Sequence, residues 1–157
     1  MSSNERAQLE SLHEAAFAWA LSCCRWDRQE AEDVLQTAYL KVLEGSARWA
    51  GRASFKTWLF AVVRKTALGR RRSWRSWLRR RADEAPDLKA ATSEPSLDGA
   101  RVRAALAGLA ARQREVLDLV FYHDMTVEAA AAVMGVSLGA ARRHYARAKE
   151  NLAEKLR

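Results

Sequence analysis

The apolar positions along the chain recur every three or four residues from one end to the other, with one interruption. Leu9, Leu12, Ala16, Ala20 and Cys23 form the first such stripe and predict a helix from about Glu5 to Cys24. Asp27 followed by Glu30 reads as a capping box for a second helix that stops near Glu44, before Gly45. Its inward positions are Val34, Leu35, Ala38, Val42 and Leu43. Ser54 caps a third helix, with Phe55, Trp58, Leu59, Val62, Val63 and Thr66 inside and Lys56, Phe60, Arg64, Lys65 and Arg71 off the core side. The pattern then lapses over residues 82–96, ADEAPDLKAATSEPS, an acidic stretch with Pro and Ser that reads as a flexible linker. Leu97, Val102, Ala105, Leu106 and Leu109 open a second module, and Val116, Leu117, Val120 and Phe121 mark its next helix. The expected fold is all-α: two small helical domains, 1–81 and 97–157, joined by the linker.

The last thirty or so residues carry the sharpest pattern. Thr126 is an N-cap, and Val127, Ala130, Ala131 and Met134 share one helical face. Gly135 suits a left-handed exit, Val136 a tucked corner, and Ser137 a second N-cap. On the helix that follows, Ala141, Tyr145, Ala148 and Leu152 fall on one stripe, and Arg142, Arg143 and Arg147 point away from it. A short helix, a glycine turn and a second helix with an arginine front form a helix-turn-helix suited to the major groove, where guanidinium groups grip phosphates or the O6 and N7 of guanine. A solvated basic helix in an ordinary α-hairpin is the plainer alternative. The Met134-Gly135-Val136-Ser137 turn favours DNA.

Composition narrows the partners. Twenty-seven Lys and Arg against nineteen Asp and Glu give a net charge of +8, which points to a polyanion. Apolar runs fall short of the twenty or so residues that cross a bilayer, so no stable membrane insertion is expected. The polar opening MSSNERAQLE lacks a signal-peptide core, and a cytoplasmic location is expected. Cys23 and Cys24 are adjacent, which disfavours a disulfide between them, and Cys23 reads as a buried thiol. His13, His123 and His144 are scattered, so neither a metal site nor a cofactor is expected. A nucleophile-base pair and a phosphate-cradling glycine loop are also missing, so an enzyme is the least favoured class. Arg70 to Arg81, RRRSWRSWLRRR, contains no acid and interleaves Trp74 and Trp77 with cations. That composition suits phosphate contact with base stacking, or alternatively a membrane surface.

Taken together, these segments resemble the extracytoplasmic-function group of sigma factors of bacterial RNA polymerase, within the sigma-70 family. DRQEAEDVLQTAYLKVLE is similar to the helix that grips the polymerase β′ coiled coil, and FKTWLFAVVRKTALGRRR to the helix after the promoter-melting loop. LAARQREVLDLVFYHDMTVEAAAAVMGVSLGAARRHYARAKENLAEKL resembles the domain that reads the minus-thirty-five element. The resemblance implies that Asp33 and Gln36, with Glu30 and Glu32 nearby, dock on core polymerase, and that the partners include its β′ coiled coil, its β subunit, promoter DNA and an anti-sigma protein. It implies that the loop from Ser46 to Ser54 captures a flipped base of the minus-ten element. That task calls for an open backbone at Gly51, a stacking surface such as Trp49, and cations for the displaced strand. Trp49 has the alternative of a core plug. The minus-ten set is Trp49, Arg52, Ser54, Lys56, Arg64, Lys65, Arg70 and Arg71; the minus-thirty-five set is Ser137, Arg142, Arg143 and Arg147.

The chain departs from the family pattern in places. Lys65 stands where Asn is frequent, Gly69 where an acid is expected, and Ala129 and Ala130 where Glu and a larger aliphatic residue are common. The implied function is promoter-specific initiation, with a stand-alone helix-turn-helix regulator as the alternative. Each methylene missing from the second core forgoes about 0.8 kcal/mol. An isolated Leu97–Arg157 fragment is therefore expected to unfold broadly at low temperature by circular dichroism; a cooperative high-temperature melt would refute this.

Overall fold

The computed structural model describes residues 1–80 and 97–157. The expected linker at 82–96 and the side chains of Trp74, Trp77 and Arg79 lie outside the described residues. Two compact units result, Met1–Ala91 and Thr92–Arg157. Helix is the regular structure found throughout the described residues.

The first unit holds α1 (Ser3–Ser11), α2 (His13–Cys23), α3 (Arg28–Glu44) and α4 (Phe55–Arg80). Ser2 and Glu5 form a reciprocal capping box at the start of α1, with Glu5 N–H donating to Ser2 Oγ at 3.2 Å and Ser2 N–H to the Glu5 carboxylate at 2.6 Å. The single helix expected from Glu5 to Cys24 is jointed at Leu12, whose ψ is 0°. The chain barely deviates there, because Leu12 N–H still donates to Gln8 O and Ala16 N–H to Leu12 O. Nothing in the sequence marks this joint.

Between α2 and α3 the chain turns through Arg25 and Trp26, both left-handed at φ 53° and 66°. Each costs about 1–2 kcal/mol for an L-residue. The turn folds Cys24 inward and leaves Cys23 half-buried, the reverse of the sequence expectation. Gly45 ends α3 at φ 80°, where a left-handed residue releases the chain into the loop.

α4 lies against both α2 and α3, and this double contact overturns the reading of its faces. Phe55, Leu59, Val62, Val63 and Thr66 are buried as expected, while Trp58 is only half-buried. Phe60, expected outside, is fully buried and stacks on Trp19 at 5.7 Å between ring centroids, 4° from parallel. The Trp19 indole N–H donates to Phe60 O at 3.0 Å, so the buried polar atom of the largest core residue is satisfied. A helix with one neighbour buries one stripe; a helix with two buries a wider arc, and position 60 falls within it. Leu43 shows the opposite error. It is 53% exposed, since α3 turns it beyond the reach of α2 and α4.

The second unit contains α5 (Leu97–Ala107), α6 (Ala111–Leu117), a π-helical turn (Asp118–Tyr122), α7 (Val127–Met134) and α8 (Leu138–Lys155). In the π turn His123 N–H reaches back to Asp118 O, an i→i+5 bond that inserts one residue into the helical count. The register therefore slips. Leu119 enters the core, Val120 is half-buried, and Phe121, expected inside, is 64% exposed. In α5, Ala105 and the following Leu109 are buried, but Val102 faces solvent rather than the core.

Trp19→Ala is expected to destabilise the first unit by about 3–5 kcal/mol in urea denaturation of the whole chain. Leu43→Ala, at an exposed position, should stay within about 0.5 kcal/mol.

Candidate polymerase and nucleic-acid interfaces

α3 builds the acidic face. Asp27 caps the helix by accepting from Glu30 N–H at 3.1 Å, and the helix dipole favours the acids that follow. Glu30, Glu32 and Asp33 keep 40%, 58% and 48% of their side-chain surface in solvent, and Gln36 is exposed. The face is therefore available, but it is not free of internal contacts. Arg70, near the middle of α4, reaches across to it. Its Nε donates to Glu30 Oε1 at 2.8 Å and its Nη2 to Glu30 Oε2 at 3.4 Å, while Nη2 lies 3.5 Å from Asp33 Oδ2. The Glu30 hydrogen bond, above all, holds the guanidinium more firmly protonated than usual.

One expectation changes here: Glu30 does not complete a capping box with Asp27, because its carboxylate goes to Arg70. Arg70, one of the expected minus-ten contacts, pairs with the acidic face in this structure. Two-point Arg–carboxylate geometry fixes direction well, but at this exposure such a pair contributes only about 0–1 kcal/mol. Cys24 lies close by, its thiol pushed up to about 12 by burial first and by Glu30 second, so it stays protonated at neutral pH.

The loop between α3 and α4 is anchored rather than open throughout. Trp49 donates its indole N–H to Ala53 O at 2.8 Å and meets Phe55 edge-on at 5.5 Å, which makes it partly a plug. It also walls an open pocket of about 450 Å³ together with Val42, Leu43, Glu44, Arg48, Phe55 and Trp58, closed on one side by Met1 and Glu5 of the N-terminal segment. The plug and stacking-surface readings of Trp49 are thus compatible. Gly51 is left-handed at φ 75°, with open space where a Cβ would project. Ser54 accepts from Thr57 N–H at 3.1 Å and donates to Thr57 Oγ1 at 2.9 Å, so its hydroxyl is occupied in starting α4. Arg52, Lys65 and Arg72 are exposed, and Arg64 and Arg71 are half-buried. Lys56 is half-buried too, its Nζ 5.8 Å from the centre of the Phe60 ring.

The helix-turn-helix follows its sequence closely. Thr126 Oγ1 accepts from Ala129 N–H at 3.0 Å, Gly135 is left-handed at φ 67°, and Ser137 Oγ accepts from Ala140 N–H at 3.1 Å. Ser137 is thus the cap of α8 before it is anything else. Ala130 and Ala131 of α7 and Ala141 and Ala148 of α8 are buried, and α8 packs against both α6 and α7. Arg142, Arg143 and Arg147 stand exposed on the opposite side. Tyr145 leaves the stripe half-buried, with Phe121 at 6.1 Å and the Lys149 ammonium 4.4 Å above its ring.

Several positioning contacts escaped the sequence reading. Arg112 Nη1 donates to Met134 O at 3.0 Å, satisfying a carbonyl left open at the end of α7. Asn151 donates to Gln113 Oε1 at 2.9 Å and ties α8 to α6. Arg101 reaches Leu156 O at 2.7 Å from α5. An Arg or Gln in a basic helix gives no sign in sequence of which distant carbonyl it will meet. Among the described residues there is no group of His, Cys, Asp and Glu that could hold a metal, and no helix long and apolar enough to cross a membrane.

Comparison with known proteins agrees with this geometry. Residues 9–83 match the family Sigma-70 region 2, and residues 99–152 match Sigma-70, region 4. The RNA polymerase sigma-E factor of Streptomyces antibioticus is 32% identical over 136 residues, 83% of this chain and 72% of that protein. The ECF RNA polymerase sigma factor SigC of Mycobacterium tuberculosis is 29% identical, over 85% of this chain and 74% of its own length. Among solved structures, the sigma factor RpoE of Bartonella quintana, crystallised with the anti-sigma factor NepR, superposes with a TM-score of 0.82 at 25% identity. That alignment covers 99% of this chain and 98% of RpoE. CnrH, solved with the cytosolic domain of CnrY, gives a TM-score of 0.66 at 25% identity over 96% of this chain and 86% of its own.

The exposure of the α8 arginines sets a test. Arg143→Ala is expected to cost about 1–3 kcal/mol on a selected duplex and much less on random DNA, measured by fluorescence anisotropy. Equal losses on both would assign Arg143 to phosphate rather than to base edges.

Proposed function

The chain belongs to the sigma-70 family, as an extracytoplasmic-function sigma factor that directs transcription initiation by RNA polymerase, and we propose that its two units divide promoter recognition between them. In this reading 1–81 binds core polymerase and opens the minus-ten element, and 97–157 reads the minus-thirty-five element. Residues 82–96 connect them. The observation that supports the proposal is the sorting of charge by helix: α3 exposes Glu32 and Gln36 and keeps Asp33 half in solvent, while α8 exposes Arg142, Arg143 and Arg147 opposite its buried alanines.

Each surface suits its proposed ligand. A compact acidic ridge at a helix start attracts a basic coiled coil and speeds its docking. In the loop, the pocket beside Trp49 offers aromatic walls to an unstacked base, with Arg52 and Lys65 exposed for the strand that leaves the duplex. An exposed triplet of arginines on α8 suits the major groove. The protein forms no bonds itself in this scheme; RNA synthesis belongs to the polymerase, and the site of action is the cytoplasm. An anti-sigma partner is supported by the RpoE complex, in which the similar protein is held by NepR.

Asp33→Arg tests the docking face. It is expected to abolish co-purification with core polymerase and specific transcription in vitro, while leaving the protein folded and able to bind duplex DNA. Retention of core binding by a folded Asp33→Arg protein would remove the polymerase assignment from α3.

A further inference from the structure

Arg70 has a position that neither surface explains by itself. It opens a run of seven arginines in twelve residues, Arg70 to Arg81, without a single acid, as expected of a segment that tracks phosphates. Yet its guanidinium is turned onto α3, against Glu30 at 2.8 Å and Asp33 at 3.5 Å. All three side chains remain well solvated, at 38%, 40% and 48% of full exposure. The pair is therefore accessible to competitors from both sides. A basic partner seeking Glu30 and Asp33 meets Arg70 already there, and a phosphate seeking Arg70 meets two carboxylates.

We propose that Arg70 is a transferable cation: in the free protein it occupies the acidic face of α3, and when core polymerase takes that face Arg70 is released to nucleic acid. The inference rests on the reading of α3 as the docking face. Its physical basis is exchange of one half-exposed ion pair for two others. Because the internal pair is weak, the exchange is easy, and because it is specific, the two binding events are coupled. Coupling of this kind is reciprocal, so DNA contact through Arg70 also strengthens polymerase binding. The free protein is thereby kept from holding DNA as strongly as its net charge would allow.

The test uses the full chain, labelled with a fluorophore, and two probes: core RNA polymerase and a short single-stranded DNA of random sequence. Arg70→Gln should tighten core binding about two- to fivefold, the range open to a half-exposed pair, and Arg70→Lys should stay near the unaltered protein. Glu30→Gln should raise the affinity of the free protein for the single strand by a similar factor. That gain should vanish when Arg70→Gln is added. Glu32→Gln removes the same charge from the same helix without touching Arg70, and should give a smaller gain that survives Arg70→Gln. The proposal is overturned if Arg70→Gln leaves core binding unchanged or weakens it, or if the Glu30→Gln gain persists without Arg70. Asp33→Arg separates the two levels. If it leaves core binding intact, the docking face itself is wrong; if it abolishes binding while Arg70→Gln fails to tighten it, only the transfer is wrong.

Discussion

The first unit depends on the burial of α4 between α2 and α3. Trp19 and Phe60 lie flat on one another in that interface, and the indole N–H is matched to the Phe60 carbonyl. A stacked aromatic pair with its polar atom satisfied combines large buried area with a defined geometry. It fixes the rotation of α4 about its axis. Once that rotation is set, Arg70 is carried to α3 while Lys65 and Arg72 are left in solvent. The placement of charge on this unit is thus a consequence of its core.

In the second unit the corresponding constraint is the packing of α8 against both α6 and α7. Small residues at 130, 131, 141 and 148 are buried there, Asn151 ties α8 to Gln113 of α6, and Arg112 finishes the end of α7. With the back of α8 committed to these contacts, its arginines are left on the exposed side. The same choice of small side chains reduces buried area and leaves little margin of stability. The proposed reading of promoter DNA uses that rigid front.

Much of this was legible in the sequence, and the exceptions have physical causes. Caps were legible because Asp27, Ser54, Thr126 and Ser137 each act within three residues of themselves. Helix faces were legible over most of their length, and misread at Phe60, where α4 buries a wider arc between α2 and α3, and at Leu43, which lies at the edge of the α3 stripe. The π turn misplaced Phe121 because periodicity assumes a constant number of residues per turn, and no residue type announces the extra one. The acidic and basic faces were visible as composition. The link between them was not: Arg70 and Glu30 lie forty positions apart, and only the packing of α4 on α3 brings them together. The inward turn of Cys24 likewise depends on the left-handed backbone at Arg25 and Trp26, two residue types that seldom take it.

In the proposed division of labour α3 faces the transcription machine and α8 faces the template. Amide hydrogen exchange of the whole chain, followed alone, with core polymerase, and with duplex promoter DNA, addresses it directly. Polymerase is expected to slow exchange in the segment around residues 28–37, and duplex to slow it at the start of α8. Polymerase binding that leaves the 28–37 amides unchanged, or duplex binding that protects α3 rather than α8, would contradict it.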